Sequence, residues 1–200
     1  DLVIAQVNPE MPRTWGDGMV HIDQIDFLVE HREPLLESLP GIKNQTVIER
    51  IGHYVNMLVD DGATLQIGFG HLPDAILPYL SDKKDLGLHT QVITDGFLPL
   101  FKNKVITNSR KSYLPDRVIA SLCMGSRALY DFVDNNPIFY FKSSEFVNDP
   151  NIIAKNDNFI SISSALEVDL TGQVCTDSKG YLFYSGIGDQ VDFKIGREHV

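Results

Sequence analysis

The sequence predicts an α/β fold with a largely parallel sheet. Two observations carry this: short apolar runs of strand length alternate with stretches of helical character, and a glycine turn leads from one such run straight into a helix start. The 200 residues, 43% of them hydrophobic, suffice for one good core, or for one domain and part of another.

Residues 2–7 form an apolar run ending at Asn8-Pro9, read as a buried strand entering a turn. Residues 9–18 are rich in Pro, Gly and Asp and read as a loop, and 21–29 as one or two further short strands. Residues 31–45 hold Pro34, Pro40 and Gly41 without a clear period and read as a connector. Thr46-Val47-Ile48-Glu49 has the form of a capping box, Thr at the N-cap and Glu three residues later. Apolar positions 47, 48, 51, 55, 58 and 59 then fall on one helical face, and Gly62 ends the helix. A strand over 63–67 turns through Gly68-Phe69-Gly70 into a helix starting near Pro73, a favoured first-turn residue. Further strands are predicted over 87–93, 118–124, 138–141 and 159–163, and helices over 126–133 and 150–156.

The net charge of −10 argues against non-specific nucleic-acid binding, which needs a basic footprint. It leaves room for an anionic ligand held by helix N-termini and a few lysines. Cys123 and Cys175 lie far apart without a partner motif, so neither a disulfide framework nor a thiolate metal site is expected. Cys123, inside the run 118–124, reads as a small buried hydrophobe. The six histidines are scattered without ligand spacing, so no metal is expected. No stretch has the apolar length of a membrane span and no signal peptide is visible, which makes the cytoplasm the expected location. The chain opens on Asp1 rather than Met, as a fragment or processed piece would.

Four segments have the residue types for chemistry. Residues 66–75 run from strand through Gly68 and Gly70 to a helix start, where backbone N–H groups suit an anion or oxyanion. A plain strand–helix turn uses the same residues, and the Lys-Ser/Thr of a P-loop is absent. Residues 87–96 place Gln91 at a strand end before the Asp95-Gly96 turn. Residues 164–174 alternate so that Glu167 and Asp169 would share one strand face, as general acid/base carboxylates or as a solvated face. Residues 184–193 hold a second glycine turn at Gly186 and Gly188.

Together these segments are more specific than any one of them. Gly87-Leu88-His89-Thr90-Gln91 resembles the active-site segment of the acetyl-CoA hydrolase/transferase family, which includes the 4-hydroxybutyrate CoA-transferases. Members usually read G-[IL]-H-T-E there, with the Glu as nucleophile. Residues 8–14 are similar to a family segment near the end of its first domain, and Glu145–Pro150 to its S-N-x-P turn; 167–174 and 184–193 follow in family order. The similarity runs through nearly the whole chain and covers the middle of a usual, longer member.

The resemblance implies two related α/β CoA-transferase domains with the site between them. Residues 1–35 would end the first, 36–45 would link, and 46–200 would form most of the second. It implies an acyl-CoA and a small carboxylate as substrates, with no metal, and a homodimer or the parent chain's other domains as partners. Position 91 takes the nucleophile's place, Asn148 lines the site, Gly68 and Gly70 form the first glycine loop, and Gly186 and Gly188 the second. Two residues depart from the family pattern. Gln91 replaces a carboxylate with a carboxamide whose nitrogen lone pair is delocalised into the carbonyl, and Asp189 replaces the last glycine of G-[IV]-G-G. Three readings follow: an engineered block in an active enzyme, a domain that keeps only binding or scaffolding, or a carboxylate relocated to Asp189.

Overall fold

The computed structural model describes residues 2–38, 45–186, 188 and 190–193. Strand β1 (Ile4–Val7) is followed by the two-residue β2 (Trp15–Gly16), a 3₁₀ turn at Ile22–Gln24, and β3 (Phe27–Glu30). Helix α1 (Gln45–Leu58) leads to β4 (Thr64–Ile67), then α2 (His71–Ile76) and a 3₁₀ turn over Leu77–Leu80. Next come β5 (Gly87–Leu88), β6 (Val92–Ile93), α3 (Phe97–Lys102), β7 (Val118–Ala120), β8 (Leu122–Cys123) and α4 (Arg127–Val133). Then follow β9 (Phe139–Phe141), α5 (Ser144–Val147), α6 (Pro150–Ile153) and β10 (Phe159–Ile162). Two small hairpins, β11 (Glu167–Val168) with β12 (Val174–Cys175) and β13 (Ser178–Lys179) with β14 (Leu182–Phe183), precede α7 (Gln190–Phe193).

The strands of the main sheet are parallel. β10 pairs with β4 and β4 with β5, a bridge from His89 to Ile119 reaches β7, and β7 pairs with β9 and β9 with β2. From β4 through β5, β7 and β9 the chain steps one way; it then returns to place β10 on the far side of β4. Right-handed crossovers put connections of opposite sense on opposite faces. The two cores follow that rule. Leu65, Leu88, Val118, Ala120 and Phe139 pack with Leu77, Phe97, Phe101 and Leu129 from the outward connections. Ile119, between two residues of that set, points the other way and packs with Val147, Ile153 and Phe193.

The predicted α/β class with a mostly parallel sheet is the observed one, and several details differ. The run at 2–7 does contain β1, but it is exposed: among the described residues β1 pairs only with β3, and Ile4 and Phe27 remain 62% and 59% accessible. The segment 9–18 is mostly loop, yet Trp15-Gly16 adds an edge strand to the main sheet, across the boundary expected at residue 35. Ion pairs also hold this segment, with Glu10 lying between Arg32 at 2.6 Å and Arg127 at 2.7 Å. Hydrogen bonds from Arg127 and Arg32 hold the Glu10 carboxyl below its ordinary range.

Thr46 is not an N-cap, because the helix already includes Gln45. On its predicted face Ile48 and Val59 are buried and Ile51 and Val55 half-buried, while Val47 and Leu58 face out; Gly52 takes a place in the contact instead. The sequence reading also missed α3, whose Pro99 sits in the first turn where its missing N–H is harmless, and the single-turn α5. The expected helix 150–156 is regular only over Pro150–Ile153.

A Cβ on Gly52 would run into the Tyr79 ring of the 3₁₀ turn. Gly52→Ala should therefore lower stability by about 1–2 kcal/mol, despite alanine's better helix propensity. Urea unfolding measures this; a raised midpoint would mean that Tyr79 moves aside without loss.

Candidate functional site

Sheets of this type place ligand crevices beyond the carboxyl ends of their strands, where the strand order reverses. Here the reversal lies between β4 and β10. Gly68 follows β4 and Ser163 follows β10, and a Cβ on Gly68 would lie 3.1 Å from the Ser163 hydroxyl and 3.3 Å from its Cα. Gly68 thus allows the two strand ends to stay close, its N–H donating to Ile162 O at 2.8 Å. Gly70 precedes α2 with φ +135°, a conformation that a side chain would strain.

Gln91 lies one strand over, at an irregularity. The predicted strands 87–93 and 118–124 are each broken in two, between β5 and β6 and between β7 and β8. Leu88 and Ile93 face the same core although they are an odd number of residues apart, and so do Ala120 and Cys123. Each strand therefore slips by one residue between those positions. At the slip the Gln91 carbonyl accepts two successive amides, Ser121 N and Leu122 N, each at 3.0 Å. The pairing is the same on either side, 89 with 119 and 92 with 122, so both strands carry the irregularity together and no extra residue is inserted in either. Gln91 itself is half-buried.

The residues beside Gln91 tie it to the other candidates. The Thr90 hydroxyl donates to Ile67 O at 3.0 Å and accepts from Ile67 N at 3.2 Å, fixing position 91 to the end of β4 beside Gly68. His89 is fully buried, and its Nε2 lies 2.7 Å from Val147 O, next to Asn148. Facing a carbonyl, Nε2 carries the proton. Burial, with a smaller contribution from the charge of Lys111, pushes His89 down to about 4, against the pull of the Val147 carbonyl. The imidazole is therefore neutral near pH 7, and Nδ1 is a buried acceptor without a partner among the described residues. Beneath it, buried Lys111 donates from Nζ to Leu88 O at 2.9 Å and Arg117 O at 2.7 Å, and burial pulls its amine down to about 7.

Asn148 is half-buried, and its Nδ2 donates to Asp192 Oδ2 at 3.2 Å. Asp192 belongs to α7, whose Phe193 stacks on Phe159, and Phe159 meets His89 edge-on. These contacts hold α7 beside Asn148, while Gly186 and Gly188 are exposed, with open space where their Cβ atoms would stand. Asp189 lies outside the described residues. After Gln91, Thr94 donates to Asp74 of α2, and Ser126 donates to Asp95 from both its N (2.7 Å) and its Oγ (2.5 Å).

Two expected features lie elsewhere or change meaning. Glu167 and Asp169 do not form a carboxylate pair on one strand. Asp169 closes the turn between β11 and β12, accepting from Thr171 N at 2.8 Å, Thr171 Oγ1 at 2.7 Å and Gln173 N at 2.9 Å. Cys123 is half-buried, and burial and then Asp95 push its thiol up to about 12, so it is no nucleophile. Among the described residues no group of three or more His, Cys, Asp or Glu side chains is placed to hold a metal, and no helix is long and apolar enough to cross a membrane. His89, Ser121 and Asp192 were not picked out from sequence as site residues. Ser121 had a signal, as the one polar residue within the apolar run 118–124.

Residues 125–199 match the acetyl-CoA hydrolase/transferase C-terminal domain. The whole chain is similar to the 4-hydroxybutyrate coenzyme A transferase of Clostridium kluyveri, 48% identical over 98% of this chain and 45% of that protein. Among solved structures it is similar to RipA from Yersinia pestis, with a TM-score of 0.89 at 37% identity over 96% of this chain and 44% of that one. It is also similar to a 4-hydroxybutyrate CoA-transferase from Porphyromonas gingivalis, with a TM-score of 0.82 at 42% identity over 86% of this chain and 44% of that one. The chain spans less than half the length of these relatives.

The His89 environment predicts a pH dependence. The folded state holds this imidazole well below its ordinary 6.5, so the unfolded chain takes up its proton first as pH falls. The contribution is complete above about pH 6.5 and is lost as pH drops toward 4, a loss on the order of 2–3 kcal/mol. Thermal unfolding of the protein and of His89→Gln across this window isolates it from the carboxylates. The gap between the two should narrow on acidification; a constant gap would mean that His89 does not titrate this way.

Proposed function

This chain belongs to the acetyl-CoA hydrolase/transferase family, and on that premise we propose that its site holds an acyl-CoA thioester against position 91, with Gln91 withholding the nucleophile. The parent protein would be an acyl-CoA:carboxylate CoA-transferase or acyl-CoA hydrolase in architecture. One observation supports this most: Gln91 sits at the break between β5 and β6, tied through Thr90 to the Gly68 turn and through His89 to the Asn148 turn.

With a glutamate at position 91, the carboxylate would attack the thioester carbonyl and expel CoA thiolate, leaving a mixed anhydride. The thiolate would then attack the glutamyl carbonyl and release the acyl group as a carboxylate, leaving a glutamyl-CoA thioester. An acceptor carboxylate would take the CoA by the reverse steps; in a hydrolase, water would instead cleave the mixed anhydride, releasing the acyl group as a carboxylate and freeing the glutamate. Backbone N–H groups of the glycine turns at Gly68 and Gly70 and at Gly186 and Gly188 would stabilise the oxyanions. Asn148, its Oδ1 buried and without a partner among the described residues, would supply a further polar contact. The first step needs a free carboxylate. Gln91 offers none, so the site as it stands would bind without turning over.

A second reading is an acyl-CoA-binding or scaffold domain that has lost catalysis altogether. The second departure from the family pattern, Asp189 in the glycine loop, favours it. If Asp189 instead supplies the missing carboxylate, Asp189→Asn abolishes whatever turnover the Gln91 protein has.

The parent chain with Gln91→Glu should turn over an acyl-CoA with acetate or 4-hydroxybutyrate as acceptor, at least a thousandfold faster than the Gln91 form, since covalent catalysis is regained as a whole. Release of free CoA and formation of the new thioester measure this. Silence in both forms would leave the scaffold reading.

A further inference from the structure

Between β5 and β7 the sheet opens at one end, and two side chains fill the gap. Thr90 N donates to Ile119 O at 3.0 Å, joining the strands beside the His89–Ile119 bridge. In a parallel ladder the next such bond toward the N-terminus would run from Leu88 N to Arg117 O. Here Leu88 N donates instead to Asn108 Oδ1 at 2.8 Å, and Arg117 O accepts from Lys111 Nζ at 2.7 Å. Nζ also donates to Leu88 O at 2.9 Å. Asn108 and Lys111 thus take, donor for acceptor, the two backbone groups that one more rung would have joined. The surrounding chain is built for the insertion. Asn108 is fully buried, and its N–H is held by Leu86 O at 3.0 Å. Position 87 is a glycine over which the Lys111 stem passes, and a Cβ there would run into Lys111 Cγ.

Lys111 is only 5% exposed, and among the described residues its Nζ meets two carbonyls and no carboxylate. A neutral amine has two N–H groups, which match two acceptors. An ammonium has a third, and a buried charge that nothing offsets. Burial accordingly pulls Lys111 down to about 7. The groups around it do not reverse this. His89 on β5 feels the Lys111 charge and is itself neutral near pH 7. The Arg117 side chain donates to Pro137 O, and Thr64 of β4, which borders the same glycine, is uncharged. We propose that Lys111 is a positioning residue: its neutral amine, with Asn108, replaces a rung of the sheet three residues ahead of Gln91, and proton uptake by that amine displaces position 91. Both carbonyls within reach are already used, so a third N–H finds an acceptor only if the two strands change their spacing. The Gln91 carbonyl accepts from Ser121 N and Leu122 N across the same pair of strands, so such a change reaches it. The kinetic consequence rests on the function proposed above; the displacement itself does not.

Two NMR signals of the unaltered protein are followed from about pH 6 to about pH 8: the Lys111 side chain, assigned through its own correlations, and the Gln91 backbone amide. Lys111 should lose its proton with a midpoint of about 7, and the Gln91 amide should move with the same midpoint. In Lys111→Met that amide should sit at a new position and stay there across the range. In the parent chain carrying Gln91→Glu, kcat should be about tenfold lower at pH 6 than at pH 8, because about a tenth of the amine is neutral at pH 6. KM should change less than about twofold, and Lys111→Met should remove the acid limb. A Lys111 that keeps its proton throughout the range overturns the proposal. So does a Gln91 amide that stays still while Lys111 titrates, or one whose movement persists in Lys111→Met. If Lys111→Met does not fold, the two signals of the unaltered protein decide alone. A Gln91 amide that follows Lys111 in a protein whose Glu form turns nothing over upholds the positioning role and removes the catalytic reading instead. Turnover by the Glu form whose pH profile Lys111→Met leaves unchanged, beside an unmoved Gln91 amide, overturns the positioning role and leaves the catalytic reading standing.

Discussion

The hydrogen bond between His89 Nε2 and the Val147 carbonyl is the contact on which the site depends. His89 lies on the central strand region, two residues before Gln91, while Val147 lies one residue before Asn148 in the connection that returns across the sheet. Among the described residues no backbone ladder joins these segments. The imidazole joins them at 2.7 Å, inside a core where an unpaired Val147 carbonyl would be costly. The same ring meets Phe159 edge-on, and Phe159 stacks on Phe193, which anchors the helix after the second glycine turn. One neutral side chain thus links the strand that carries position 91 to the segment that carries Asn148 and, through Phe159, to Phe193 of α7.

The division of the sheet into two unlike faces makes this possible. The outward crossovers cover one face with leucine and phenylalanine, a conventional apolar core. The return crossover covers the other, where Thr64, Gln66 and His89 are buried beside a smaller apolar cluster. Polar groups there retain unmet hydrogen-bonding capacity, among them Gln66 Nε2 and His89 Nδ1. Such a layer contributes less to stability than an apolar one. It is tolerated where it sits beneath the strand ends that carry Gly68 and Gln91.

Much of this was legible in the sequence, and the rest failed for physical reasons. The parallel α/β class, the Gly68 turn, the strand at 64–67 and the helix after Ser126 follow from local period and turn chemistry. The frame around Gln91 is legible because its motif is local. The slip at Gln91 and Ser121 is not, because 118–124 is apolar on both faces and 87–93 holds three polar residues in succession, so neither run has an alternation that a change of side would break. The reading of Thr46 as an N-cap failed because the helix starts ahead of the capping motif. The expectation that residues 2–7 form a buried strand failed because apolar character shows that a strand can be buried, not what covers it; among the described residues β1 pairs with β3 alone. The paired reading of Glu167 and Asp169 failed because Asp169 satisfies the backbone of a turn, which alternation alone does not reveal.

In the proposed function, three separate segments meet at one acyl-CoA site around Gln91. A crystal structure of the Gln91 parent protein with a bound acyl-CoA tests it most directly, because the carboxamide would leave the thioester intact. The account predicts unbroken thioester density with its carbonyl beside Gln91, between the Gly68 turn and Asn148. A thioester bound elsewhere, with residues 68, 91 and 148 untouched, would contradict it.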